Sequence, residues 1–293
     1  MDNLSNRVIF VRLSLSTGET VEIENTLHMD VKIKKTTSAA GNEADISIYN
    51  LNQSVCNAIV EASGKIYSKR TDKKTCSVQV SVGYNDTEML DIFFGDVVTA
   101  EVTGLTDRML NIKAQTGFYK QLKLVSKSFD QLKTKASTIC KTIADDMGVE
   151  LKFEATEKEI YRYSYAGIIT DQLRNLLFDY SISCFVDDKT LIAKDVGKQV
   201  QYDLKVVDAD SQMIGIPKLT EHGVDVITLF DPGFKLGGKI SLTSIKNPSA
   251  NGEYIVHQIQ YDLSNYGNSF YMNMITAKPK EKKQGKRKAK KND

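Results

Sequence analysis

Three sets of residues have the types that could do chemistry. The first is paired carboxylates: Asp145-Asp146, Asp187-Asp188, and Asp86 with Glu88. Two convergent carboxyl groups are what acid–base hydrolysis of a glycosidic bond needs. Their local settings favour plainer roles. Asp145 and Asp146 fall in the last turn of a predicted helix, near solvent, and Asp187-Asp188 is predicted as a two-residue hairpin turn. The second set is His28, His222 and His257, isolated from one another, whereas a metal site wants its ligands clustered at short spacing. The third is Cys56, Cys76, Cys140 and Cys184, irregularly spaced and with no C-x-x-C. They read as reduced, buried hydrophobes. Neither a G-x-S-x-G elbow nor a phosphate-binding glycine loop occurs. Asp231-Pro232-Gly233 and Leu236-Gly237-Gly238 read as backbone punctuation entering a strand. The sequence is therefore expected to carry no catalytic residues, no metal ligands and no cofactor, and not to be an enzyme.

Charge gives a fourth candidate. The 293 residues carry 39 Lys plus Arg and 37 Asp plus Glu, a formal +2. The final sixteen residues, 278–293, hold nine of the basic side chains and two acidic ones, a net of +7. These are Lys278, Lys280, Lys282, Lys283, Lys286, Arg287, Lys288, Lys290 and Lys291. The remaining body has 30 basic and 35 acidic residues, a net of −5. This balance excludes a uniformly basic nucleic-acid-binding fold as the default. The tail has no hydrophobic periodicity to offset its ordering entropy, so it is predicted to be disordered when free. It reads as a solubilising segment, an electrostatic arm for an acidic protein surface, or a contact to nucleic acid.

The elements that must position these residues are mostly strands. Val8 to Leu15 alternates, with Ile9, Val11, Leu13 and Leu15 on a wholly apolar face. Val21 to Ile23, Met29 to Ile33 and Glu43 to Asn50 follow. Asn52 or Ser54 caps a helix through Val55, Ile59 and Ile66. Strands return over Cys76 to Tyr84, Asp91 to Glu101 and Met109 to Gln115. The pattern then changes. Ser128 with Gln131 suggests a capping box opening a helix through Leu132, Ala136, Ile139, Cys140, Ile143, Ala144 and Met147, stopped by Gly148. Val149 to Phe153 is a strand. A second helix starts at Thr170 or Asp171 and carries Leu173, Leu176, Leu177 and Tyr180. It leads into a hairpin over Ile182 to Val186 and Leu191 to Lys194. From Gln199 the chain is β again, with strands at Val224 to Phe230, Gly238 to Ile245, Tyr254 to Leu263 and Phe270 to Ile275.

The fold class expected is α+β and β-rich: two barrel-like β domains with a small α/β unit (helix–strand, helix–hairpin) between them. The boundaries are 1–125, 126–197 and 198–277, with 278–293 as the basic tail. No apolar run reaches the ~18 residues of a membrane helix. The N-terminus, Met-Asp-Asn-Leu-Ser-Asn-Arg, lacks the pattern of a secretory signal, so synthesis and folding in a cytoplasm are expected.

Three segments in order carry a resemblance. The first is Asn42-Glu43-Ala44-Asp45-Ile46-Ser47-Ile48-Tyr49-Asn50-Leu51, a strand leading into a helix. The second is Val80-Ser81-Val82-Gly83-Tyr84 followed by Ile92-Phe93-Phe94-Gly95-Asp96-Val97. The third is Phe230-Asp231-Pro232-Gly233-Phe234-Lys235-Leu236-Gly237, then Gly252-Glu253-Tyr254-Ile255-Val256 and the closing meander. Over residues 5–277 the chain resembles baseplate hub (tail hub) proteins of contractile-tailed bacteriophages. The resemblance implies a structural virion protein of the tail baseplate, assembled in the bacterial host cytoplasm. It implies a homotrimer that joins the six-fold tail tube to the three-fold central spike. The implied partners are the chain itself, the tail tube protein and the central spike protein, with the tape measure and baseplate wedge proteins as further neighbours. Nucleic acid is met only transiently, if the genome passes through the ring. Ile46, Ile48, Tyr49 and Leu51 are expected in the first β core, Phe93, Phe94 and Gly95 on a strand beside it, and Phe234, Leu236 and Gly237 at the start of a strand in the second. The alternatives are a cell-wall-degrading or carbohydrate-binding tail module and an OB-like nucleic-acid binder using the basic tail.

Overall fold

Alternation of apolar and polar residues builds most of the structure. In strand β1 (Arg7–Ser14) Ile9, Val11 and Leu13 are buried while Arg12 and Ser14 are exposed, as a sheet covered on one side requires. The same rule forms β2 (Thr20–Ile23), β3 (Met29–Thr36) and β4 (Glu43–Tyr49). Asn52 then accepts a hydrogen bond from the Ser54 N–H at 2.9 Å and opens helix α1 (Gln53–Gly64). β5 (Ser77–Tyr84), β6 (Leu90–Thr103) and β7 (Met109–Gln115) complete the first β block. The computed structural model describes residues 7–64, 75–85, 88–104, 107–129, 132–209 and 212–279. Asp86, Ile66 and Gln131, singled out from the sequence, lie outside these residues, as do the tail positions from Lys280 onward.

The middle segment departs from expectation at its start. After a short helix α2 (Phe118–Gln121), Ser128 ends strand β8 (Leu124–Ser128) and caps no helix. Strand β9 (Lys133–Lys135) follows, and helix α3 (Ala136–Met147) begins only after it, with no side-chain cap. The reason is pairing further along the chain. Strands β10 (Glu150–Phe153), β11 (Glu159–Tyr161) and β12 (Ser164–Ile168) come next, and β11 and β12 take the backbone groups of β9 and β8. Leu132, expected in the helix core, is therefore 59% exposed. Gly148 ends α3 at φ 60°, as predicted, its N–H donating back to Asp145 O. Helix α4 (Ile169–Tyr180) leads into the hairpin of β13 (Ile182–Asp187) and β14 (Thr190–Asp195). These elements enclose their own core around Ile139, Cys140, Ile143, Leu173, Leu176 and Cys184.

The second β block comprises β15 (Lys205–Val207), β16 (Met213–Leu219), β17 (Val224–Leu229), β18 (Lys239–Leu242), β19 (Gly252–Ser264) and β20 (Phe270–Ala277). It joins the first block in one 13-stranded sheet, with the main order β16-β17-β20-β19-β3-β4-β7-β6-β5-β1-β2, while β18 pairs beside β19 and β15 beside β18, off this path. The join is the antiparallel pairing of β19 with β3. Both blocks contribute to one continuous core, from Ile9 to Met274. The β-rich α+β class is as expected. The barrels are not: among the described residues the strand path is open, running from β16 to β2, and neither block closes on itself.

Within that sheet, one wiring scheme occurs twice. In the first block a hairpin (β3–β4) is followed by an excursion and a second hairpin (β6–β7), lying in the order β3-β4-β7-β6. In the second block the hairpins β16–β17 and β19–β20 lie in the order β16-β17-β20-β19. The third strand of each block carries a register shift against the fourth, between Val97 and Thr99 in β6 and between Val256 and Gln258 in β19. Before its bulge, each third strand pairs with a strand of the excursion, β5 or β18. A bulge in the same place on the same strand is a built feature that re-aims the strand, so the match is informative.

Candidate assembly interface

The repeated wiring leaves two edges. Among the described residues, β16 has a strand neighbour on one side only, β17, and β6 pairs with β5 up to Asp96 while Thr99 to Thr103 pair only with β7. Unpaired strand edges are templates for another chain, and proteins that avoid such pairing blunt them with charge, shortness or a cover. Both edges are partly blunted, β16 by Pro217, Lys218 and its bulge and β6 by helix α1 packed along it, which leaves their ends, Lys218-Leu219 and Val102-Thr103, as the open stretches. The outward face beside β16 is apolar, with Ile214, Ile227 and Leu229 exposed on neighbouring strands. Asp225 on β17 and Asn273 on β20 each have a buried side-chain oxygen that accepts no hydrogen bond. One such edge, with exposed apolar residues beside polar groups of unused capacity, suits protein association rather than catalysis.

A buried charge cluster fixes the seam between the blocks. On β3, Met29, Val31 and Ile33 point into the core, and Lys35 continues that inward series. Its ammonium donates to Asp187 Oδ1 at 2.8 Å and Asp188 Oδ2 at 2.7 Å. Asn42 donates its Nδ2–H to the same Asp187 oxygen at 3.2 Å, and the Phe94 N–H donates to Asp188 Oδ1 at 3.1 Å. The β13–β14 hairpin tip is thus tied to β3, to β6 and to the turn before β4. Burial works against the Lys35 charge, but the two carboxylates outweigh it and hold its pKa above the ordinary lysine range. Asp188 is pushed up, first by burial and then by the neighbouring Asp187 charge, with Lys35 opposing. Tyr261 on β19, fully enclosed beside this cluster, is also raised, chiefly by burial.

The turn itself is shifted from expectation. Asp187 pairs with Thr190, so the two-residue turn is Asp188-Lys189, with Asp188 at φ 53°. The carboxylates read as a plain surface turn are instead the acceptors of a buried lysine. A signal was present, since a lysine in an otherwise apolar inward series calls for a buried counter-ion. Its partners, more than 150 residues away, leave no local mark. A pH prediction follows from Asp188. Its raised pKa means that the folded chain binds a proton before the unfolded chain does. The resulting penalty is full above the raised pKa and fades as pH falls toward the ordinary aspartate value of about 3.9. Denaturant unfolding over that range should show wild type gaining stability relative to Asp188→Asn as pH falls. A pH-independent difference would contradict the assignment.

The other candidates keep plain roles. Asp145 pairs with Lys141 at 2.9 Å and Asp146 with Lys127 at 3.0 Å. His28 stacks on Tyr49 and lies 3.2 Å from Asp30, while His257 Nδ1 lies 3.1 Å from the Thr37 hydroxyl. The four cysteines are buried and free. Among the described residues no three His, Cys, Asp or Glu side chains are grouped to hold a metal, and no helix is long and apolar enough to cross a membrane. Of the basic tail, Lys278 is within the described residues, where its N–H donates to His222 O at 3.0 Å at the end of β20. The three resemblance segments fall at the places that matter: Ile46 and Ile48 in the core beside the seam, Phe93 to Gly95 just before the β6 bulge, and Phe234 and Leu236 buried where β18 begins.

A protein-family model described as Baseplate hub gp41 matches residues 8–276. No curated protein sequence matches significantly. Among solved structures, the fold is similar to the 43 kDa tail protein of prophage MuSo2 from Shewanella oneidensis, with TM-score 0.64 and 7% identity, covering 93% of this chain and 98% of that one. It is similar to the tail protein from Neisseria meningitidis MC58, with TM-score 0.62 and 7% identity over 93% and 96% of the two chains. A third likeness is to the Escherichia coli c3393 protein, a type VI secretion component with structural similarity to bacteriophage T4 tail proteins gp27 and gp5. There the TM-score is 0.54 at 7% identity, over 96% of this chain and 75% of that one.

Proposed function

The chain belongs to the baseplate hub gp41 family, structural proteins of the phage tail baseplate, and from that premise we propose that it is a homotrimeric hub joining the six-fold tail tube to the three-fold central spike. The observation that carries this reading is the repeated wiring of the two β blocks. One chain holds two equivalent four-strand units, β3-β4-β7-β6 and β16-β17-β20-β19. Three chains around an axis then present six such units to a six-fold neighbour while keeping true three-fold symmetry toward a spike. In this reading residues 1–125 and 198–277 act as two β modules of a shared ring wall, and 126–197 is a separate α/β unit clamped to their junction. The shared fold with a type VI secretion component that has structural similarity to phage tail proteins gp27 and gp5 fits this reading. The tape measure and baseplate wedge proteins are further partners in this reading.

Native mass spectrometry at micromolar protein, with and without the adjoining spike, tests the reading. A species of three times the 32.7 kDa chain is expected. Monomer alone in both samples would overturn it. The basic tail is read as an electrostatic contact concentrated three-fold at one end of the ring, directed at acidic neighbouring proteins or lumen contents. Deleting 279–293 should leave the trimer intact and lower the yield of assembled particles. Normal particle yield would return the tail to a solubilising role.

A further inference from the structure

We infer that copies of this chain join head to tail through a short antiparallel contact between the end of β6 in one copy and the end of β16 in the next, in the register that sets Val102 opposite Leu219 and Thr103 opposite Lys218. This rests on the reading that the chain forms a ring, and it adds the surface and the residue pairs.

The intrachain seam supplies the template. There the third strand of the second block, β19, pairs with the first strand of the first block, β3, from Gln258 onward, just after the bulge. Among the described residues, the equivalent edges with no second strand beside them are β6 from Thr99 to Thr103 and β16. They lie at opposite ends of the eight-strand run, so one copy presents two different edges. Two different complementary edges make a head-to-tail contact, which closes into a ring when the rotation allows.

The register comes from counting through the bulges. Thr99 follows the bulge in β6 as Gln258 does in β19. Three residues on, Val102 takes the place of Tyr261. Along the other strands, Lys113 and Ile275 are equivalent, since each faces the first residue after the bulge. Lys113 pairs with Asp45, which pairs with Lys32. Ile275 pairs with Asp225, which pairs with Lys218. Lys218 therefore takes the place of Lys32, and Leu219 that of Ile33. Within the chain Tyr261 faces Ile33, and Asp262 faces Lys32. Across the seam Val102 faces Leu219, and Thr103 faces Lys218.

Burial supports this pair independently. Val102 is opposite buried Leu110 and Leu219 is opposite buried Val224, so both point to the core side of the sheet. Yet Val102 is 36% and Leu219 50% exposed, against 4% for Tyr261 and 1% for Ile33. Each lies at the end of its strand with no second strand beside it among the described residues. Within β16, Asn247 already donates to Pro217 O at 2.9 Å, so the open stretch begins at Lys218, where the register starts.

The test is a full-length chain carrying Val102→Cys and Leu219→Cys, oxidised with copper–phenanthroline after native mass measurement. Directly opposed strand positions are within disulfide reach. Covalent dimers and trimers are expected on non-reducing gels, and none from either single variant. A non-covalent trimer that fails to crosslink, or that crosslinks better with Val102→Cys and Glu221→Cys, would overturn the register and leave the ring reading standing. Monomer alone by native mass would overturn both.

Discussion

Replacing Lys35 by alanine should lower the unfolding free energy by about 3–5 kcal/mol, the usual cost of removing one partner from a buried ion pair. The reason is what stays behind. Asp187 and Asp188 would remain packed against Asn42, the Phe94 N–H and Tyr261, with their counter-ion gone. Two neighbouring carboxylates without a cation cannot both stay ionised at low cost. The loss should be non-additive. Lys35→Met combined with Asp187→Asn and Asp188→Asn removes the charges together and should recover a large part of the stability lost in Lys35→Ala. Urea unfolding of the three proteins checks this. A Lys35→Ala loss below about 1 kcal/mol, the size for an exposed pair, would contradict a buried clamp. The effect reaches function through position, because the cluster ties the α/β unit to the join between the two β blocks. Limited proteolysis should then open the β13–β14 hairpin first.

Changing Leu219 to aspartate should abolish the trimer while leaving the isolated chain folded. Leu219 is half exposed on an edge strand in the single chain, so the monomer should change within about 0.5 kcal/mol. In the assembled ring the same position faces Val102 on the core side, and an unpaired carboxylate there costs several kcal/mol. Even about 3 kcal/mol per seam is roughly a hundred-fold loss of association at each contact. Val102→Asp should act in the same way from the other edge. Analytical ultracentrifugation with parallel thermal melts separates the two effects. A trimer that survives Leu219→Asp unchanged would place the contact elsewhere.

How much of this could be read from the residues alone depends on distance. The apolar face of β1, the inward Ile46 and Ile48, the bounds of β7 and the Gly148 stop of α3 are all local patterns, and each is where its spacing indicates. The start of α3 was obscured by long-range competition: a good local cap at Ser128 lost to strand pairing with residues 164–168. β16 was missed because Met213-Ile214-Gly215-Ile216-Pro217 contains a glycine at positive φ, a proline and a bulge, which hide the period-two signal. That strand is one of the two proposed contact edges. The block repeat was legible only as two β-rich stretches. The shared strand order and the paired bulges belong to topology, which no run of residues carries. The charge clamp had half a signal, in Lys35, and its other half was disguised as a hairpin turn.

If each copy supplies two equivalent β units to a three-fold ring, averaged electron-microscopy views of the purified ring down its axis will show a wall of six similar lobes that repeats as three alternating pairs. A ring with any other copy number, or three lobes with no second set between them, would rule this arrangement out.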